Sequence, residues 1–282
     1  MSRDVFTLVE PDVPKAGLIV NSAHSGRLYL GSFVQSSQLS LTSLRSSEDA
    51  YVDQLFDAAP ALGVPMLSAV MPRAYVDLNR ASDELDPAVI EGLRRSNVSP
   101  RIASGLGVIP LVVAEGREIR RGKMSLMNAK TRLARYYWPY HQELVHLMDV
   151  TRNSFGSALL LDCHSMPSQS GDVGAIGYDI ILGDRFGASC SGEYVDVLES
   201  LFADVGFRVG RNAPFAGAFI AQRYGAPSSG HHVIQIEVNR GLYLDEREIK
   251  PKAEFASVKR KLTSVLEQMI AFMRPQIGLA AE

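Results

Sequence analysis

The sequence predicts an α/β fold: a single domain, residues 1–282, with a mostly parallel or mixed central sheet flanked by helices. Three observations lead there. Short apolar runs alternate with helix-length amphipathic segments along the chain. Two of those runs, GLIVNSAH (17–24) and SALLLDCHS (157–165), turn polar abruptly, as buried strands do where they leave a sheet. No repeat, low-complexity linker or composition break divides the chain.

The elements follow in order. GLIVNSAH reads as a buried strand with His24 beyond its end, and SSEDAYVDQLFDAAPALG (46–63) as a helix with a Ser cap and early acids. VPMLSAV starts a second strand at residue 64, running into an irregular segment through Arg80. DELDPAVIEGLRR (83–95) is expected to be helical with Pro87 in its first turn, and GVIPLVVAE (107–115) a strand. Lys123 to Val150 has a helical pattern divided at Pro139. SALLLDCHS is the central strand, YDIILGD (178–184) another, and SGEYVDVLESLFADVG (191–206) a helix. FRVGRN, GAFIAQRYG and HHVIQIEVNR read as three short strands, and residues 251–273 as a closing amphipathic helix.

Composition narrows the function classes. A hydrophobic share of 46% with 21% charged residues is that of a globular protein with an ample core. The net charge of −2 offers no electrostatic footprint for nucleic acid. Cys163 and Cys190 cannot build a disulfide framework, which suits the reducing cytoplasm. The N-terminus lacks the apolar core of a signal peptide, and no run approaches the ~18 apolar residues of a membrane helix, so no membrane partner is expected.

Several catalytic motifs are missing. There is no GxxxxGK[ST], GxSxG or HExxH, and GLGVIP lacks the GxGxxG spacing. Cys163 and His164 are adjacent on a strand and therefore point to opposite faces, which argues against a thiol enzyme.

Polar residues collect instead at strand ends, where α/β sheets bind ligands: His24, Asn79–Arg80, His164 and Glu237. Two imidazoles and carboxylates suit zinc, which keeps one position open for water in catalytic sites. Each residue also has a plain structural reading. A strand-end histidine can be hydrogen-bonded core, Glu237 an edge charge, and Asn79–Arg80 a surface loop, so spacing alone leaves the metal site open.

Eight stretches together carry a resemblance: AHSG (23–26), SEDAYVDQLF (47–56), YVDLNR (75–80), YWPYH (137–141), DCHSMP (162–167), GDRFGASC (183–190), NAPFAGAF (212–219) and IQIEVNRGLYLDE (234–246). In this order, over about residues 17 to 250, the set resembles the N-formylglutamate amidohydrolase family. More distantly, the order HxS…DLNR…HS…E is similar to that of zinc carboxypeptidases, which implies a zinc-carboxypeptidase-like (phosphorylase/hydrolase-like) fold. The resemblance implies Zn2+ bound by His24 and His164, Asn79 and Arg80 as a clamp on a substrate carboxylate, and Glu237 as general base. Carboxypeptidases take their third ligand three residues after the first His, but Arg27 stands there and cannot ligate a cation. Asp49 or Asp53 must substitute, and Asp49 is favoured.

Further expectations attach to weaker positions. His232 is a candidate to polarise the carbonyl, Asp162 to orient an imidazole, and Arg185, Arg223 and Arg240 to bind a second carboxylate, while His141 is expected to be structural. The implied reaction is metal-dependent hydrolysis of an N-formyl (N-acyl) amino acid amide, N-formyl-L-glutamate giving formate and L-glutamate. The implied partner is a small molecule with at least one carboxylate. The alternatives are a related zinc hydrolase acting on another N-acyl amino acid or small peptide, and a non-catalytic binding protein on the same fold.

Overall fold

In the computed structural model, which describes residues 5–93, 99–168 and 177–274, the strands form one seven-stranded sheet and a small two-stranded ribbon. The sheet strands are β1 (Phe6–Val9), β2 (Leu18–Ser22), β3 (Met66–Ala69), β4 (Ala158–Met166), β5 (Ile180–Gly183), β6 (Val209–Arg211) and β7 (His231–Asn239). Their spatial order is β1-β3-β2-β4-β7-β5-β6. The centre, β3-β2-β4-β7, is parallel, whereas β1 and β5 pair antiparallel with β3 and β7. The sheet is thus mixed, with a parallel core.

The two faces of that core differ in a way the sequence encodes. On one face Leu18 and Val20, then Leu159, Leu161 and Cys163, then Ile234, Ile236 and Val238 join a single apolar cluster. Residues of the Gly192–Asp204 and Phe255–Met273 helices complete it. On the other face Ile19, Leu160 and Val233 pack against Tyr140, Leu144 and Met148 of the Trp138–Phe155 helix. Strand side chains alternate, so this second face continues as Asn21, then Asp162 and His164, then Gln235 and Glu237. Apolar rows therefore give way to buried polar ones at one end of the sheet. The parallel register sets His164 opposite Glu237 and Asn21 opposite Asp162.

Several local expectations are revised. The segment 46–63 is no continuous helix: Tyr51 has φ +65°, and only Val52–Leu55 and Ala59–Leu62 are helical. Residues 83–93 form turns, because Asp86 accepts from the Ala88 N–H and Gly92 takes φ +78°; residues 94–95 lie outside the described residues. Residues 107–115 are not a strand, Glu115 and Gly116 both having positive φ. The stretch from Leu126 to Phe155 is helical throughout, with a π turn at Leu133–Tyr137 just before Pro139. GAFIAQRYG contains the helix Phe219–Tyr224, and β7 is one nine-residue strand. β1 was not foreseen.

Among the described residues, no helix is long and apolar enough to cross a membrane.

β4 is buried along its whole length between β2 and β7. Leu161→Ala should lower unfolding stability by about 2–5 kcal/mol, because the cavity it leaves lies within a packed core. Denaturant titration checks this; a loss below about 1 kcal/mol would show that the sheet core collapses around the gap.

Candidate metal centre and active site

His24 lies two residues beyond β2, in a loop pressed against the exit of β3. A side chain at Gly26 would meet the Met71 carbonyl oxygen at 2.1 Å, so the loop requires glycine. The Asp49 N–H donates to the His24 carbonyl (3.1 Å), tying the Asp49 segment to the same loop. His164 comes from β4.

These three residues converge. His164 Nδ1 lies 2.9 Å from Asp49 Oδ2, and His24 Nδ1 lies 3.3 Å from the same oxygen. His24 Nδ1 is buried and makes no hydrogen bond there. Both opposite ring nitrogens face carboxylates: His24 Nε2 reaches Asp77 Oδ1 at 2.7 Å, and His164 Nε2 reaches Asp162 Oδ2 at 3.1 Å. An ionised carboxylate only accepts, so each Nε2 carries the proton and each Nδ1 turns a lone pair toward Asp49. Three acceptors thus face one another in a buried space, an arrangement that a cation relieves. The His24–Asp49–His164 group can hold a metal ion, its candidate ligand atoms lying within 4.8 Å of one another. The donor set fits a divalent ion, and imidazole backed by carboxylate is a recurring arrangement for zinc ligands.

The surroundings hold each member in place. Arg240 Nη2 and Ser165 Oγ both donate to Asp49 Oδ1 at 3.0 Å, leaving Oδ2 to the histidines. Burial alone would raise the Asp49 carboxyl, but the neighbouring His164 and His24 rings hold it well below the usual carboxylate range. Burial likewise opposes ionisation of Asp77, yet Arg73, whose Nη2 is 2.9 Å from Oδ2, and His24 keep it low. Asp162, fully buried, accepts from Asn21 Nδ2 (2.7 Å). Asn79 takes the Ile220 N–H on its Oδ1 (2.7 Å) and donates through Nδ2 to Asp162 Oδ2 (3.4 Å).

A cavity of about 580 Å³ opens over this group. Besides the three residues it is lined by Glu237, Asn79, Arg80 and Arg240, and by Ala216 and Gly217, the latter at φ +109°. Glu237 accepts from Gln235 Nε2 (2.8 Å), and burial pushes its carboxyl up to about 7. It is therefore poised to exchange a proton near neutral pH.

The family model for N-formylglutamate amidohydrolase matches residues 16–244. The chain belongs to that family. It is 30% identical over 235 residues to the N-formylglutamate deformylase of Pseudomonas aeruginosa, covering 80% of this chain and 82% of that one. The Pseudomonas putida deformylase is 29% identical over 237 residues (82% and 83%). The crystal structure of N-formylglutamate amidohydrolase from Ralstonia eutropha JMP134 superimposes with a TM-score of 0.89 at 31% identity, over 96% and 98% of the two chains. The gene product Atu2144 from Agrobacterium tumefaciens, 14% identical with a TM-score of 0.69 over 96% and 95%, shares the fold alone.

Within this family member, not every residue expected at the site gathers there. His232 sits at the opposite end of β7 from Glu237, where its Nδ1 accepts from the Ser191 N–H (3.2 Å) beside the Tyr194 ring. Five residues separate it from Glu237, roughly 16 Å along the strand and on the other face. Arg185 turns to the Gly217 carbonyl (3.4 Å), and Arg223 is exposed at the end of its helix. Arg240 supports Asp49, while Asp53 pairs with Arg27 at 3.2 Å. Buried His141 bonds the Tyr224 hydroxyl (2.6 Å), away from this cavity. Burial pushes the Cys163 thiol far up, on the face opposite His164. Sequence reasoning missed Arg73 and Asp77. Their signal was an i, i+4 pair of opposite charge just ahead of Asn79 in MPRAYVDLNR.

Replacing Asp77 or Asp162 with Asn should weaken binding of a divalent metal at this group roughly 10- to 100-fold, because each histidine loses the carboxylate that orients it. Chelator competition measures this. Unchanged affinity in both variants would mean that these contacts do not serve the metal.

Proposed function

We propose that this protein hydrolyses the formyl amide of N-formyl-L-glutamate, releasing formate and L-glutamate. We further infer that it acts as one zinc-dependent domain in the cytoplasm, its two cysteines being free and buried. The observation that carries the reading is the adjacency of His164 and Glu237 in register, a metal-type ligand beside a carboxyl near neutrality, in a chain of this family.

His24, Asp49 and His164 would hold the ion. Bound zinc polarises a carbonyl and lowers the pKa of water, which is the chemistry it supplies here. Glu237 removes the proton of the attacking water and delivers it to the departing amine nitrogen. Gln235 fixes Glu237 by its 2.8 Å bond. Oxyanion stabilisation, expected of His232, falls instead to Arg73, a cation of the cavity wall close enough to interact with Asp49 and Glu237. Arg80 binds a substrate carboxylate. Its Nε and Nη1 are tied to the Leu106 and Asn79 carbonyls (3.0 and 2.7 Å), leaving further N–H donors for a paired contact.

Formate release from N-formyl-L-glutamate tests the reading: release that disappears on chelation and returns with zinc is expected, and none in either state would remove this substrate. Glu237→Gln should retain zinc yet lose at least about 100-fold in kcat, the size of a general-base contribution; near wild-type turnover would remove Glu237 from the role. Glu237 acts as a base only when ionised. The kcat/KM profile should therefore rise with pH along an acid limb at or below about 7, a bound dication pulling the carboxyl downward. A flat profile between pH 5 and 7, on the order of the range where carboxyls and imidazoles titrate, would contradict this.

A further inference from the structure

The cavity wall holds as many carboxylates as arginines, but they are not all paired, and the unpaired cations have a location. Four arginines line it: Arg73, Arg80, Arg101 and Arg240. Arg73 is paired with Asp77 at 2.9 Å and Arg240 with Asp49 at 3.0 Å. Arg80 makes only carbonyl contacts, and among the described residues Arg101 has no carboxylate partner. Of the remaining acids in the wall, Glu237 is bonded to Gln235 and the Glu115 side chain is exposed, 3.7 Å from Arg117.

Arg101 is an exposed residue of the cavity wall, and its turn is joined to Arg80. Arg101 belongs to the short turn of helix Pro100–Ala103, closed by the Ser99 cap and by the Leu106 N–H bonding the Arg101 carbonyl (2.9 Å). The Leu106 carbonyl accepts from Arg80 Nε (3.0 Å), so the turn carrying Arg101 is docked on Arg80 itself. Gly107 allows that approach, since a Cβ there would meet the Glu84 carbonyl oxygen at 2.6 Å. Burial first, and then the charges of Arg73 and Arg101, hold the Arg80 pKa below its ordinary value against the opposing charges of Asp77 and Glu84.

We propose that Arg101 determines specificity by binding the second carboxylate of a dicarboxylic substrate, whose first carboxylate is held by Arg80. The proposal rests on the reading of this cavity as an N-formyl-L-glutamate site and adds to it the residue that reads the side-chain carboxylate. It replaces Arg185, Arg223 and Arg240 in that role.

The test compares N-formyl-L-glutamate with N-formyl-L-glutamine, which differ only in the side-chain carboxylate. Zinc-loaded wild type should prefer the glutamate by roughly 10- to 100-fold in kcat/KM, the size of a charge-assisted contact. Arg101→Met should abolish most of that preference, chiefly through KM, and Arg101→Lys should restore part of it. Equal losses on both substrates, or a preference that survives in Arg101→Met, would overturn the assignment. Calorimetry of the two products, L-glutamate and L-glutamine, gives the same contrast without turnover. If wild type releases no formate from either compound, the deformylase reading fails. Arg101 then stands if glutamate binds more tightly than glutamine and the difference vanishes in Arg101→Met, and falls if wild type binds both alike.

Discussion

One buried oxygen, Asp49 Oδ2, organises the polar end of this molecule. Two imidazole nitrogens face it at 2.9 and 3.3 Å, and each imidazole has its other nitrogen against a carboxylate. Left without a cation, lone pairs and a carboxylate would confront one another inside a protein, where such repulsion is poorly screened. A proton relieves it in part: despite burial, Asp162 and Asp49 hold the His164 pKa well above ordinary. A divalent ion relieves it more completely, and would displace that proton on binding.

Much of the surrounding structure serves that oxygen. Arg240, just beyond β7, and Ser165, on β4, fix the other oxygen of Asp49, so the carboxylate cannot rotate away from the histidines. Asp77 is gripped by Arg73 and also accepts the Asn79 N–H (2.9 Å). Asp162 is backed by Asn21, whose Oδ1 takes the Tyr140 hydroxyl at 2.5 Å. The chain of contacts thus runs from the candidate metal ligands into the apolar face packed by the Trp138–Phe155 helix. Rigidity of the core and precision of the site have a common origin, in the row of side chains on one face of β2, β4 and β7.

Much of this could be read from the sequence, for identifiable reasons. The ends of β2, β4 and β7 were legible because apolar runs there turn polar, and the strand period fixes which residues share a face. That logic also argued against Cys163 as a nucleophile. Applied to β7, it would have excluded His232, since an odd separation from Glu237 puts the two on opposite faces. The partnership of Asp49 with Arg240 was not legible, being a contact across 191 residues made through a loop. Helical periodicity misled at 46–63, because Tyr51 adopts a left-handed conformation that turns Asp49 inward and leaves Asp53 with Arg27. Arg101 was hidden likewise, in a turn whose meaning comes only from its docking on Arg80.

The central claim is that Asp49, His24 and His164 surround a divalent metal. Anomalous diffraction at the zinc edge, from crystals of the zinc-loaded protein, tests it most directly. A single peak about 2.0–2.2 Å from His24 Nδ1, His164 Nδ1 and Asp49 Oδ2 is the predicted result. No peak at saturating zinc, or one bound elsewhere with these three side chains still in mutual contact, would contradict it.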